Sequence, residues 1–324
     1  MGMTEAILLT VFTAATPLLI AAMGELVAER SGVLNLGVEG MMIMGAIGGF
    51  AFAQMSGNPY VGALGGMVIG ALFSLLFAFL AVTLVTNQVA TGLALTILGL
   101  GLSGLWGEAF VGVPGVKLQP IVVPVLSEIP LIGRLLFAQD ALFYVSIALV
   151  FAVSWFLFRT KGGLILRSVG DNHHSAHALG ISVSRVRYLA VMFGGACAGL
   201  AGSHLSLVYT TQWIENMTAG RGWIALALVV FASWRPWRIL FGAYLFGAIT
   251  IMQLHIQALN LGDLEFLPGP VYGIMALLKS IPAQFLSSLP YLATIAVLVL
   301  ISRNRRLTLI NTPAMLGRGF VPDR

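Results

Sequence analysis

SGVLNLGVEGMM, residues 31–42, separates two long apolar stretches. Nothing upstream resembles a soluble domain, and Met41–Phe52 downstream is nearly all Met, Ile, Ala, Gly and Phe. Between them stand Asn35 and Glu39, threaded through Gly32, Gly37 and Gly40. A carboxylate or amide at membrane depth is costly and ordinarily faces a cavity or another polar group. Nearby glycines favour a broken helix, whose exposed N–H and C=O groups are tolerated in a membrane only inside protein or along a cavity. If the flanking runs span a bilayer, this stretch is a break inside a helical membrane protein.

Composition says that they do. Of 324 residues, 58% are hydrophobic and 9% charged, with a mean hydropathy of +0.96. Soluble domains carry about 25% charged residues, so this chain cannot cover a water-facing surface. Each helical span needs about 20 residues, and the expected spans are 6–27, 40–56, 60–86, 91–112, 140–158, 188–210, 222–234, 239–258 and 285–301. The expectation is an all-α polytopic bundle of roughly eight to ten transmembrane helices with broken or re-entrant segments. Residues 1–324 are expected to form one transmembrane domain, with the connection 159–187 and the tail 303–324 on one side of it. The segment 270–284, broken by prolines and holding Lys279, is a further re-entrant or short spanning candidate. Residues 6–27 read as a retained first span, because "MGMTEAILLT" has no basic n-region.

The net charge of +5 does not point to nucleic acid. Basic residues gather in RTKGGLILR (159–167), SRVR (184–187), SWRPWR (233–238) and RNRR (303–306). Counted through the spans, all fall on one side, which positive-inside topology makes the cytoplasm. Loop 113–138 and the acidic loop at Asp263 and Glu265 then lie outside, as does the N-terminus. Aromatic belts account for Tyr209, Trp213 and Trp223 near the outer boundary and for Trp234 and Trp237 near the inner one. The 38 glycines cluster inside spans, where small residues let helix backbones approach. The Gly-interrupted segments 32–40 and 219–222, one in each half, are only weakly alike.

No phosphate-binding loop is present, since Lys117, Lys161 and Lys279 all lack the preceding glycine. No zinc motif, paired cysteines or nucleophile elbow is found; Cys197, in an apolar glycine-rich stretch, reads as a small core residue. The chain is therefore expected to be no enzyme and to carry no cofactor or metal.

The longest basic-flanked connection is RSVGDNHHSAHALGISVSRVR (167–187). Asp171 or Asn172 can cap a short helix over His173–Leu179, and Gly180 can end it. A capped helix displayed between spans suits docking to a cytoplasmic partner; an ordinary capped loop is the plain alternative.

GDNHHSAHALGI resembles the coupling-loop signature of bacterial ABC importer permeases of the branched-chain amino acid and simple-sugar class. The matching positions are Gly170, Asp171, Asn172, Ala176, Gly180 and Ile181; His173, His174 and Ser175 depart from the usual pattern. GVLNLGVEGMMIMGA (32–46), NQVATGLALT (87–96), GRGWIALALVVFASWRP (220–236) and NTPAMLGRGFVPDR (311–324) are similar to further blocks of the simple-sugar and nucleoside branch. The resemblance implies a permease subunit in the bacterial cytoplasmic (inner) membrane that does no chemistry itself. ATP would be used by a cytoplasmic ABC ATPase. The other implied partners are a second related permease and an extracytoplasmic substrate-binding protein, with membrane lipid around them and no nucleic acid. Cargo in that branch is a nucleoside or simple sugar; a branched-chain amino acid or other small solute is the alternative.

Translocation-path candidates are Asn35, Glu39, Asn87, Gln88, Arg221 and Gln253. Against the path stand structural readings: Asn35 as a helix cap, Glu39 bonded internally or paired with Arg30, and Asn87 and Gln88 as caps at a cytoplasmic junction. Arg221 is expected outside or at the interface. His204 reads as a satisfied buried histidine, and His255 as a secondary polar candidate beside Gln253. An ion-coupled secondary transporter using Glu39 and a membrane enzyme are the competing functional classes.

Overall fold

The computed structural model describes residues 3–124, 126–129, 132–258, 281–286, 288–302 and 311–321. Each of the nine expected spans contains a helix. They are α1 (Met3–Arg30), α2 (Val38–Ser56), α3 (Pro59–Ala78) and α4 (Gln88–Gly107), then, after the outer loop with its short helix α5 (Ile132–Phe137), α6 (Ala141–Arg159). The cytoplasmic connection carries α7 (Lys161–Asp171) and α8 (His173–Ala178). Then come α9 (Val183–His204), α10 (Arg221–Phe231), α11 (Pro236–Ala258), α12 (Ala283–Leu286) and α13 (Leu289–Ser302). Among the described residues, seven helices are long and apolar enough to cross a membrane. Helix α10 is an exception: its 11 residues make about 16 Å of helix, half a bilayer core. The acidic loop at Asp263 and Glu265, most of the 270–284 candidate and RNRR lie outside the described residues.

Polar residues at the span boundaries are caps. Asn58 accepts from the Tyr60 N–H at the start of α3, Asn87 from Ala90 at α4, and Asp140 from Leu142 and Phe143 at α6. Such side chains satisfy N–H groups that the first turn of a helix leaves unpaired. The outer loop closes with a two-residue antiparallel pair, β1 (Ile121–Val122) on β2 (Ala138–Gln139).

Burial separates interior from lipid-facing helices. The apolar stretches of α2 and α9 are 72% and 78% buried, those of α4 and α6 only 28% and 33%. Lipid tails are as apolar as leucine, so helices inside a bilayer associate through close packing. Here glycine supplies it: a Cβ on Gly45 or on Gly70 would run into the backbone of Gly199. Helices α1, α2, α3 and α9 thereby form the centre, and Leu64, Leu72, Ile97 and Leu105 face outward from α3 and α4.

One end of the bundle collects Arg30, Gly32, Gly170, Arg187, Trp234 and the tail. The Met315 N–H donates to the Gly170 carbonyl at 2.9 Å and the Gly317 N–H to the Gly32 carbonyl at 3.1 Å. The basic clusters 159–167, 184–187 and 233–238 share this end, which is cytoplasmic. Helix α1 therefore runs inward, with its N-terminus on the outer side.

Candidate functional site

The stretch 31–42 is a break. Helix α1 stops at Arg30, residues 31–37 are irregular, and α2 begins at Val38. Asn35 is outside both helices, so it and Glu39 do not share a helical face. Its side-chain polar atoms and its N–H all find partners within the protein. Its Oδ1 accepts from the Gly37 N–H at 2.9 Å, its Nδ2 contacts Met41 Sδ at 3.4 Å, and its N–H donates to Glu25 Oε1 at 3.3 Å. Asn35 shapes a turn rather than capping α2, whose N-cap is Gly37.

Glu39 is 2% exposed and does not pair with Arg30. Its Oε1 accepts from the Gly220 N–H at 2.8 Å and its Oε2 from the Gly222 N–H at 2.6 Å. Those are N-terminal amides of α10, where the helix dipole is positive and N–H groups lack intrahelical partners. The carboxylate of one broken helix thus caps another, and the Gly-interrupted segments 32–40 and 219–222 meet. A Cβ on Gly222 would lie 2.6 Å from Glu39 Cα, so only glycine permits the approach. Glu39 is the second residue of α2, so about 25 Å of helix separates it from the outer end at Ser56.

This depth corrects the position expected for Arg221. It opens α10 beside Glu39, deep in the bundle, not at the outer boundary. Its guanidinium reaches back to the Met217 carbonyl at 2.8 Å and lies 5.2 Å from the Tyr209 ring. Trp223 is likewise deep, with its indole N–H 3.4 Å from the Leu36 carbonyl. Two other tryptophans leave the expected belts for the interior. Trp213 packs on Gly107, and Trp234 donates to Glu29 Oε2. Trp237 stays exposed, edge-on to Phe151.

Asn87 and Gln88 divide the work at the cytoplasmic junction. Asn87 caps α4, whereas buried Gln88 accepts from the Leu34 N–H at 2.8 Å and so holds the break. Gln253 is apart from this site. It lies two residues beyond Ile251, which packs on Val11 and Ala14, whereas the break meets α1 at Glu25, about 15 Å further along the helix. His204 is fully buried but not satisfied as expected: among the described residues neither ring nitrogen makes a hydrogen bond, and Nε2 lies 3.6 Å from Asp140 Oδ2.

The cytoplasmic element matches its expected build. Asn172 Oδ1 accepts from the Ser175 N–H at 3.0 Å, α8 spans His173–Ala178, and Gly180 turns the chain with φ +82°. Its six signature positions do not share one surface. Asp171, Asn172 and Gly180 are exposed, Ile181 is half-buried, and Gly170 and Ala176 are buried. Ala176 packs with Val169, Val183 and Phe320, and a Cβ on Gly170 would strike the Arg30 carbonyl. These two therefore act by packing and not by touching a partner. The exposed apolar tip is Leu179, 81% accessible, which the motif comparison passed over.

Sequence reasoning also missed the anchor beneath this element. Arg187, read only as a positive-inside residue, is 1% exposed. It donates to the Ser31 carbonyl at 3.4 Å and the Arg318 carbonyl at 2.9 Å, and its Nη2 lies 3.1 Å from His173 Nδ1. Burial first, and then the Arg187 charge, push the His173 pKa down to about 4, so the ring is neutral and accepts from Arg187. Phe320 of the tail sits 5.2 Å from the His173 ring. Arg30 adds a second tie, to the Asn311 and Trp234 carbonyls at 3.0 and 2.9 Å. Glu25 and Glu29, buried inside α1, were missed too; three charged residues closing an apolar helix were the available signal.

The family of branched-chain amino acid transport system permease components matches residues 7–278. The chain belongs to this permease family. Three relatives each share 88% of both chains. They are a protein provisionally named a glucose ABC transporter permease from Haloferax volcanii, 44% identical; a guanosine ABC transporter permease of Bacillus subtilis, 33%; and a nucleoside ABC transporter permease of Lactococcus lactis, 32%. No solved structure matches the chain. The permease is thus a multi-pass inner-membrane transport component of the ABC class, which removes the secondary-transporter and membrane-enzyme readings.

Proposed function

We propose that this permease forms, with a second related permease, the path by which a nucleoside or simple sugar enters the cell, driven by a cytoplasmic ATPase and supplied by an extracytoplasmic binding protein. The cargo class rests on the relatives' names, glucose on one side and guanosine or nucleoside on the other. A branched-chain amino acid, the solute in the family's own description, is the second reading. The whole chain is taken as one domain without a cofactor.

The observation that carries the mechanism is the continuous contact from the docking element to the break. Helix α8 and Leu179 offer the ATPase a surface; Gly170 and Arg187 press on residues 30–32; these lead through the break to Glu39, which holds α10. Movement of the ATPases would shift α7 and α8, tilt the 31–37 segment and displace α10 at mid-membrane. Buried Glu25 Oε2, Glu29 Oε1 and Gln88 Nε2 have no protein partner among the described residues. Such atoms cost about 1–3 kcal/mol each while unsolvated, and they are the groups that water or a polar cargo would meet once the halves part. In this reading Glu39 is the hinge pin and not a cargo ligand.

The test is reconstitution of the permease pair with its ATPase and binding protein in vesicles. ATP-dependent accumulation of labelled nucleoside or glucose supports the reading. Accumulation that survives without the ATPase and collapses with the ion gradient overturns it.

A further inference from the structure

We propose that the permease holds one anionic phospholipid of the cytoplasmic leaflet in a groove between α6, α7 and α9. The groove encloses about 480 Å3, and its lining, including Val27, Leu149, Phe156, Gly162, Val186 and Leu189, carries no polar side chain. It opens among apolar side chains that face outward: Trp155 and Phe158 on α6, Leu164 and Ile165 on α7, and Leu189 on α9. Helix α7 buries Leu166 and Val169 while presenting Leu164 and Ile165 outward, as a helix lying in the membrane interface does. The groove therefore meets acyl chains and not water.

Its rim is positive. Arg159, Lys161 and Arg185 are exposed; Arg159 follows Phe156 by three residues, and Lys161 and Arg185 adjoin Gly162 and Val186 of the lining. Arg167 lies 5.3 Å from the Phe158 ring on the same surface. Helices α6, α7 and α9 carry one acidic residue, the exposed Asp171 that ends α7, about 15 Å along the helix from Lys161. Glu25 and Glu29 of α1 are buried, so the exposed rim beside the lining is basic. An apolar slot at the inner membrane boundary, edged by lysine and arginine alone, complements an acyl chain below a phosphate headgroup. A zwitterionic lipid or an apolar helix of a neighbouring subunit would fill the slot and leave the rim unanswered.

The test is native mass spectrometry of the delipidated permease complex, titrated with phosphatidylglycerol or phosphatidylcholine of identical acyl chains. One tightly held phosphatidylglycerol per chain is expected. Ala152→Trp, which fills the groove, abolishes it. Arg159→Gln, Lys161→Gln and Arg185→Gln together weaken phosphatidylglycerol about a hundredfold, at roughly fivefold per basic residue near a membrane surface, and leave phosphatidylcholine unchanged. Unchanged thermal midpoints of both variants show that the fold persists. Should a variant not fold, a photo-crosslinker at Ala152 in otherwise unaltered complex reads the occupant directly. Equal affinity for the two lipids in the unaltered protein, or crosslinking to a second permease or the ATPase in place of lipid, overturns the proposal.

Discussion

Glu39 and Gly222 are 183 residues apart in the chain, yet the carboxylate of one receives the N–H of the other at 2.6 Å. The pair fastens the start of α2 to the start of α10 deep in the membrane, where an unpaired carboxylate would be costly.

Replacing Glu39 with Gln keeps one acceptor and turns an amide N–H toward a backbone N–H. Loss of a charge-assisted hydrogen bond costs about 1.5–3 kcal/mol, so the thermal midpoint in detergent and the uptake rate fall together. Gly222→Ala, whose Cβ would lie 2.6 Å from Glu39 Cα, has the same effect. Uptake lost at an unchanged midpoint would return Glu39 to the cargo path.

On the cytoplasmic element, Leu179 is exposed and lies outside the six signature positions, whereas Ala176 is one of them and is buried. Leu179→Asp removes capture of the ATPase while stability stays within about 0.5 kcal/mol, the usual range for surface changes. Ala176→Leu overpacks the Phe320 cluster and costs about 1–3 kcal/mol. Intact capture by the Leu179 variant would show that the ATPase docks elsewhere.

His173 makes the same element sensitive to acid. Its native pKa, about 4, lies below the ordinary 6.5, so the unfolded chain binds the proton first as pH falls. Stability from this residue is complete above pH 6.5 and is lost as pH falls toward 4, because a protonated ring can no longer accept from Arg187. Amide exchange of residues 168–183, corrected for intrinsic rates, rises over that window in the native sequence and stays level in His173→Gln. Equal pH slopes in the two proteins would remove the assignment.

The tail should matter to coupling as well as to stability. Arg187→Met leaves the Ser31 and Arg318 carbonyls without this donor. The buried Ser31 group costs about 1–3 kcal/mol when unpaired, whereas Arg318 is exposed and water can replace the donor. Deleting residues 311–324 removes the bonds from Met315 and Gly317 to Gly170 and Gly32. Both changes are expected to raise the ATP hydrolysed per cargo imported, measured in reconstituted vesicles at a temperature where the permease stays folded. A ratio equal to that of the native chain would confine the tail to stability.

Much of the architecture was legible because it depends on local chemistry. Hydropathy marks the spans, basic residues mark the cytoplasmic side, and Asn87, Asn172 and Gly180 mark element ends, each through its own backbone neighbours. The break at 31–37 belongs to this class, since glycine and asparagine disfavour a continuous helix wherever they stand together. Reading α10 as a full span erred because apolar composition does not report how deep a segment starts.

Which polar groups meet was decided only in three dimensions. Glu39 could have faced cargo, Arg30 or a neighbouring helix, and nothing within ten residues of it chooses among these. Close packing chose: Gly222 on α10 let its backbone approach that of α2 until a carboxylate met free amides. Arg187 shows the same limit, since an arginine beside a span looks alike whether it faces headgroups or is buried under the tail. The sequence alone determined a polytopic membrane protein of the permease family with a capped cytoplasmic helix and a broken segment. The tertiary structure decided that the break is pinned to a half-helix and tied to the cytoplasmic helix, because buried hydrogen bonds join residues that no local pattern relates.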